Sequence, residues 1–321
     1  MAHRFKLPFL PIILVVFSCV ENRIFIQLHP DGQTYFKFES RGDSLDIYNQ
    51  DFLHPIQFPG WKKTEKVVGE NEEKNYSILT EGIIRDTSIL FFPEKGIPLG
   101  YEFTRSISKT WFSTEVTFSL KFLGRHVKNE YPKLYEAILS EKSDSLYWLP
   151  EALTVLMEKG LNDLSKVSLS HREIIWNQRL VNHLKNSFSR MTTLSDLERI
   201  QQNRKAFLTE LLKPFNVDET LPGNLAEAME KHEEILQSTI YLNDDSFIVK
   251  VIMPGQTVFT NATDINLDTL IWKFGLDSLL TDSYNLKAES VIYTTERSQK
   301  TLISIGILFL ILMGILIKKQ F

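Results

Sequence analysis

Hydrophobic and polar residues follow three different patterns along this chain, and a long apolar run comes after them. Between residues 22 and 127 apolar and polar positions alternate, as in strands with one buried face. Between 129 and 240 the apolar residues recur every three or four positions, which is typical of amphipathic helices. Alternation returns between 241 and 296. The pattern therefore predicts two β regions separated by a helical region.

The clearest predicted strand covers residues 110–122, because one of its faces is apolar and the other is polar. The apolar face carries Phe112, Val116, Phe118 and Phe122. Earlier in the chain, Asp31–Gly32 separates two alternating runs, and this dipeptide predicts a β-hairpin turn.

Four or five helices are predicted in the middle region, enough for a small bundle. Pro132, Pro150 and Leu221 mark helix starts, and Gly160 is predicted to end the second helix. Ser170, followed by Glu three residues later, has the pattern of a capping box ahead of another helix.

The apolar run from Thr301 to Ile317 contains no charged residue, and it lies between Lys300 and the pair Lys318–Lys319. At about 1.5 Å per residue, a helix of this length is just long enough to cross the hydrocarbon of a bilayer. A buried core helix would normally keep a polar face, so the run predicts a transmembrane helix over 301–317. The basic pair predicts a cytoplasmic tail, 318–321, with the main domain on the outer (periplasmic or extracellular) side of a single-pass cell-membrane protein.

The first residues have the features of a secretory signal peptide, predicted over 1–18. A short basic start precedes eleven apolar residues, and Val16 to Cys19 resembles the lipobox of bacterial lipoproteins. In such proteins the cysteine is acylated, so Cys19 is the predicted lipidation site. Cleavage of a plain signal peptide near Ser18 and an uncleaved N-terminal anchor remain alternatives. Since Cys19 is the sole cysteine, the domain folds without an internal disulfide.

Composition describes a globular protein with no recognisable catalytic motif. Apolar residues make up 43% of the chain, charged residues 24%, and the net charge of −4 argues against nucleic acid as a partner. The sequence lacks HExxH, GxSxG, GxGxxG and P-loop patterns, and its seven histidines are scattered. The acidic pairs Asp244–Asp245 and Glu233–Glu234 are expected on the exposed surface. We therefore assign no catalytic, cofactor-binding or metal-binding residue and predict no enzyme.

Several short motifs resemble one family. Pro254–Gly255, Asn261–Ala262, a strand centred on Trp272 and Leu286–Glu289 precede the C-terminal apolar run, and Cys19 is followed by the Asp31–Gly32 hairpin. These features resemble a group of bacterial membrane-anchored lipoproteins that includes mycobacterial LppM-like proteins. The resemblance lies within the two β regions and covers about a third of the chain. It implies a small α+β domain that binds lipid-like ligands and has no catalytic residues.

These observations predict an α+β fold: an antiparallel β-sheet built from both ends of the exterior region, with a helical insertion and one C-terminal transmembrane helix. Residues 19–128 and 241–296 are the two β parts, and 129–240 is the insertion. The predicted function is a membrane-anchored envelope lipoprotein with a non-catalytic binding or assembly role, its ligand or partner lying between the sheet and the helices. A carrier of lipid or another apolar ligand is one alternative. An envelope hydrolase, with carboxylates, His or Ser converging in a pocket, is the other. Expected partners are the membrane and an envelope protein or lipid, without a cofactor.

Overall fold

A computed structural model describes most of the chain after residue 19. The described residues are 20–55, 58, 60–68, 75–93, 96–164, 171–191, 193, 195, 200, 202–293 and 295–320. The predicted signal peptide, 1–18, and the predicted acylation site, Cys19, lie outside them. Both stay predictions from the sequence, as do the boundaries of the two β parts and the insertion.

The strands of the described residues form two sheets. The first seven are β1 (Glu21–Leu28), β2 (Thr34–Gly42), β3 (Lys62–Val68), β4 (Asn75–Ile84), β5 (Ser88–Leu90), β6 (Tyr101–Lys109) and β7 (Ser113–Phe122). After the helices come β8 (Ser246–Ile252), β9 (Gln256–Thr260), β10 (Asp264–Asn266), β11 (Thr269–Phe274) and β12 (Tyr284–Tyr293). The larger sheet has the order β10-β11-β8-β1-β2-β4-β3, and the smaller one has the order β5-β6-β7-β12-β9.

Each sheet joins strands from before and after the helical region. In the larger sheet β1 pairs with β8 in parallel, with Asn22 opposite Phe247, and the other neighbours are antiparallel. In the smaller sheet β7 pairs antiparallel with β12 along ten residues, from Tyr284 opposite Phe122 to Tyr293 opposite Ser113. The two predicted β regions are therefore interleaved.

The two sheets pack face to face through aromatic side chains. Phe36 of β2 contacts Phe103 of β6 with ring centroids 5.0 Å apart. Trp272 of β11 lies 6.2 Å from Phe118 of β7, and its side chain is fully buried. Because side chains alternate along a strand, every second residue of β1, β2, β7 and β8 enters this core.

The helices of the described residues follow β2, β7 and β12. They are α1 (Ser44–Ile47), α2 (Val127–Glu130), α3 (Pro132–Leu139), α4 (Leu149–Leu164), α5 (His171–Phe188), α6 (Arg204–Leu212), α7 (Leu221–Tyr241) and α8 (Thr295–Gln320). Gly160 does not end its helix, because α4 continues to Leu164. A Cβ on Gly160 would lie 3.1 Å from both Leu225 and Met229, so the missing side chain lets α7 approach α4 closely. Ser170 lies outside the described residues.

The helices from α2 to α7 adjoin one end of the sandwich, which we call the junction. It is the end at which β7 finishes at Phe122 and β8 begins at Ser246, so the chain leaves the sheets and returns to them there. Arg125 and Lys128 donate backbone hydrogen bonds to Leu279 and Leu280, which follow β11. A single hydrophobic cluster continues from the sheets into the helices.

The predicted fold class is wrong in two respects. The fold is a mixed α+β arrangement with two sheets and one parallel strand pair, where one antiparallel sheet was predicted. Both sheets bury one alternating apolar face, and such a face specifies burial without specifying which sheet a strand joins.

The second error concerns the C-terminal run, which lies within α8. In the described part of the chain, no helix combines the length and the apolar character needed to cross a membrane. This finding overturns the transmembrane helix at 301–317, and with it the single-pass placement with a cytoplasmic C-terminus.

Candidate functional site

Five polar side chains are connected in a buried chain of hydrogen bonds at the junction. Asn22 Nδ2 donates to Asp245 Oδ2 at 2.7 Å, and Ser40 Oγ donates to Asn22 Oδ1. His54 joins Ser40 Oγ through Nε2 at 2.8 Å and Thr80 Oγ1 through Nδ1 at 3.0 Å. All five residues are between 0% and 7% exposed. We call these five residues the polar chain.

The strand period places three members of the polar chain in the core. Asn22 continues the inward row of β1, and Ser40 continues the inward row of β2 that contains Phe36 and Phe38. Thr80 occupies an inward position of β4. Asn22 and Ser40 are directly opposite each other in the β1–β2 register. Cross-strand neighbours on one face come close enough to hydrogen-bond, so the sheet itself brings these side chains together.

The direction of each hydrogen bond follows from the amide orientation of Asn22. Its Oδ1 can only accept, so the Ser40 hydroxyl gives its single proton to Asn22. The Ser40 oxygen must then accept a proton from His54 Nε2, and His54 Nδ1 accepts from the Thr80 hydroxyl. Burial, followed by the charge of Lys63, lowers the pKa of His54 from 6.5 to about 4. His54 is therefore a neutral imidazole that donates to Ser40.

Two carboxyl groups are buried at the junction. Burial, followed by the charge of Asp51, raises the pKa of Asp245 from 3.8 to about 9. Burial also raises the pKa of Asp51, to about 7, against the opposing effect of its hydrogen bond from Asn49. A buried carboxylate is costly without a partner of opposite charge, so Asp245 carries a proton at pH 7.

Asp51 lies in the segment between α1 and β3 of the larger sheet, and this segment contacts the start of β6 in the smaller sheet. Its backbone oxygen accepts from Leu99 N at 2.6 Å, and Tyr101 donates its hydroxyl proton to the Leu53 oxygen at 3.2 Å. Arg125 is the cation whose charge lowers the pKa of Asp51, while burial lowers the pKa of Arg125 itself to about 10. The guanidinium is held by the backbone oxygens of Gly96 and Ile97 at 3.0 and 2.9 Å. Arg125 is thus fixed in place by the loop that precedes β6.

A small cavity lies between Arg125 and the helices. Its volume is about 40 Å³, and its polar lining comes from Arg125, Glu130, Tyr131, Lys159, His232 and Thr239. Lys159 of α4 forms a salt bridge with Glu130, and its Nζ lies 5.1 Å from the centre of the Tyr131 ring. The space is sufficient for about one water molecule and is far below the several hundred Å³ of a typical small-molecule pocket.

Two acidic residues are less exposed than the sequence suggested, and the polar chain contains residues that the sequence did not single out. Asp245, expected on the surface, is 6% exposed, because it directly precedes β8 and hydrogen-bonds Asn22. Glu233, also expected on the surface, has a side chain only 17% exposed and pairs with Arg204 of α6. Asn22 and Ser40 were missed, although a polar residue at an inward position of an alternating strand is a detectable signal. His54 lies outside any periodic segment and carries no such signal.

Two other described histidines make contacts within the helical region rather than with the polar chain. His232 of α7 contacts Asp163 of α4 at 2.8 Å, and His183 of α5 contacts the Leu211 oxygen at 3.1 Å. Within the described ranges, no group of three or more His, Cys, Asp or Glu residues is arranged to hold a metal ion. Among the residues that the structure describes, we therefore take the junction as the candidate site for functional interpretation.

Comparison with known proteins adds little to this geometry. No protein-family model matches the sequence, and no curated protein matches it. Among solved structures, the folded domain of LppM from Mycobacterium tuberculosis, determined by NMR, is similar over 92% of this chain and 98% of that domain. The sequence identity is 10% and the TM-score is 0.30. This similarity gives weak support to the predicted LppM-like relationship. With so low a TM-score and identity, it carries no argument about fold or function.

Proposed function

We propose that this protein is a lipoprotein with a non-catalytic binding or assembly role. The observation that carries the non-catalytic part is the direction of the hydrogen bonds at Ser40. A serine nucleophile needs a neighbouring base that accepts its proton. Here Ser40 gives its proton to Asn22, and His54 donates to the Ser40 oxygen. Ser40 Oγ and His54 Nε2 are as close as a nucleophile and its base. The proton between them, however, is donated by the histidine to the serine, which is the reverse of what catalysis needs.

Access to the polar chain supports the same proposal. Ser40 is 6% exposed and His54 is 7% exposed, so a substrate would have to displace core side chains to reach either. Phe38 packs against His54 with ring centroids 5.8 Å apart, and Phe52 does so at 6.0 Å. Groups held this tightly stabilise a fold or set a strand register rather than turn over a substrate.

The packing of the sandwich also favours a binding surface over an internal carrier site. Phe36, Phe103, Phe118 and Trp272 fill the space between the sheets, and each is at most 2% exposed. An acyl chain would need a cavity of several hundred Å³. The space beside Arg125 is about 40 Å³, and a larger depression of about 450 Å³ on α6 is open to solvent and lined mainly by polar residues such as Lys205, Glu210 and Lys213. Binding through the exterior of the sandwich or helices is therefore the role that we propose.

A serine-reactive probe tests this proposal directly. The purified full chain is incubated with a fluorophosphonate probe, and labelled peptides are located by mass spectrometry, with an active serine esterase as positive control. We expect no label on Ser40, because its proton is not held by a base. A label on Ser40 that disappears in His54→Gln, together with ester hydrolysis above the buffer rate, would replace this proposal with the hydrolase alternative. Urea midpoints of parent and variant exclude unfolding as the cause.

A further inference from the structure

The end of the sandwich opposite the junction carries exposed aromatic residues. Trp111 and Phe112 form the turn between β6 and β7 and are 65% and 53% exposed. Tyr293, the last residue of β12, pairs with Ser113 and is 66% exposed. Thr110 fixes the turn, since its hydroxyl and its backbone N both donate to the Ser113 oxygen. We call Trp111, Phe112 and Tyr293 the aromatic end.

Helix α8 begins beside the aromatic end and also carries exposed apolar side chains. It starts at Thr295, two residues after Tyr293, and Trp111 Nε1 donates a hydrogen bond to Thr301 Oγ1. The next ten residues carry eight large apolar side chains, all between 53% and 75% exposed: Leu302, Ile303, Ile305, Ile307, Leu308, Phe309, Leu310 and Ile311. These exposed apolar side chains therefore begin one residue after Thr301, the residue that Trp111 contacts.

The arrangement of these side chains around α8 identifies the class of partner. Successive residues of a helix are rotated by about 100°, so the eight side chains point in every direction around the axis. A protein groove covers one stripe of a helix, with anchors three or four residues apart. Lipid acyl chains surround a helix on all sides.

The residue types at the aromatic end match the boundary of a bilayer. Trp and Tyr concentrate at the level of lipid headgroups, where an apolar ring and a polar atom are both accommodated. Lys109 and Lys300 are exposed and immediately precede Thr110 and Thr301. Exposed lysines at this level attract anionic headgroups.

We propose that the aromatic end docks on a phospholipid surface, with Trp111, Phe112 and Tyr293 at headgroup level and the exposed apolar side chains of α8, from Leu302 to Ile311, in contact with acyl chains. This proposal deepens the binding role given above by naming its partner. It also fixes the orientation of the body, because the junction then lies at the end of the sandwich farthest from the lipid. The proposal makes no use of Cys19.

The single cysteine makes a clean test possible. In a Cys19→Ser background, Phe112→Cys is labelled with an environment-sensitive fluorophore, and so is Leu45→Cys as control. Leu45 is 65% exposed, as Trp111 is, and lies on α1 at the junction end. Both full-length proteins are synthesised cell-free with vesicles of equal parts phosphatidylcholine and phosphatidylglycerol. Tyr293→Cys serves as a second site at the aromatic end.

We expect the fluorophore at position 112 or 293 to brighten several-fold with vesicles and to be quenched by headgroup-attached nitroxide, and the fluorophore at position 45 to stay unchanged. Ile307→Asp combined with Phe309→Asp should lower vesicle flotation at least about tenfold, because charged side chains are costly among acyl chains. Equal signals at positions 45 and 112 would overturn the proposal. The proposal would also be overturned if the double Asp variant floated with vesicles as the parent does. A lipid-free dimer that buries α8 and does not bind vesicles would overturn it as well. None of these outcomes bears on labelling of Ser40, so failure here is distinguishable from failure of the non-catalytic role.

Discussion

Replacing Asp245 by Asn is predicted to stabilise the protein at neutral pH. The folded state holds Asp245 protonated, since burial raises its pKa from 3.8 to about 9. Between these two pH values the folded state binds a proton that the unfolded state has released. The contribution of Asp245 to the free energy of unfolding is therefore fully present below pH 4. It decreases by about 1.4 kcal/mol per pH unit as the pH rises toward 9. An Asn side chain has the shape of the protonated Asp side chain, but it does not titrate and so adds no pH dependence to the free energy of unfolding.

The expected size of the effect follows from the same shift. At pH 7 the unfolded chain gains about 4 kcal/mol by releasing the proton from Asp245, and the Asn variant removes that gain. The amide oxygen can still accept from Asn22 Nδ2, while the additional N–H of the variant costs about 1–3 kcal/mol if it finds no acceptor. We therefore expect a net increase of about 2 kcal/mol in the free energy of unfolding at pH 7.

Urea unfolding at several pH values measures this prediction. The full chain is unfolded in a non-ionic detergent between pH 5 and pH 8, with fluorescence of the buried Trp148 and Trp272 as the signal. Asp268→Asn, which changes an exposed carboxylate beside β11, is the matched control and should follow the parent. The titration of Asp51 adds the same pH dependence of stability to the parent and to both variants, so it does not affect the comparison. If Asp245→Asn keeps the full pH slope of the parent, or is less stable at pH 8, Asp245 is ionised in the fold and the reasoning is refuted.

Two further substitutions test the packing. Gly160→Val should lower the free energy of unfolding by about 1–3 kcal/mol, because even a Cβ there lies 3.3 Å from the backbone N of Met229. The control Gly223→Ala, whose Cβ has room, should stabilise α7 slightly. Equal effects of the two substitutions would contradict the close contact between α4 and α7. Asn261→Ala should cost about 1–3 kcal/mol in urea unfolding, because Asn261 Oδ1 accepts from the buried Trp272 Nε1 at 3.0 Å; an unchanged unfolding midpoint would mean that the indole finds another acceptor.

Local features of the fold were predictable where a few neighbouring residues determine the conformation. The hairpin at Asp31–Gly32 is confirmed, with Leu28 opposite Thr34 in the β1–β2 register. Gly32 has a φ of 91°, a conformation that glycine adopts at low cost, and Asp31 accepts a hydrogen bond from the Gln33 N. The turn is therefore specified by its own sequence.

Pairings between distant strands were not predictable from the same pattern. β1 and β8 are adjacent and parallel, with Glu21 opposite Ser246, although the whole helical region separates them in the chain. Alternation marks the inward face of both strands and says nothing about which strand is the neighbour. The error at Gly160 has a related cause, since a missing side chain ends some helices and admits a neighbouring helix in others.

The polar chain supplies information about strand register that the apolar pattern cannot. A slip of β1 by two residues would keep every inward side chain inward, because the strand period is two. Such a slip would place Ile24 where Asn22 meets Ser40, and it would also separate Asn22 from Asp245. Each buried group left unpaired would then cost about 1–3 kcal/mol. The aromatic core therefore drives the two sheets together, and the five polar residues at the junction distinguish the native register of the distant β1–β8 pair from registers with the same apolar faces.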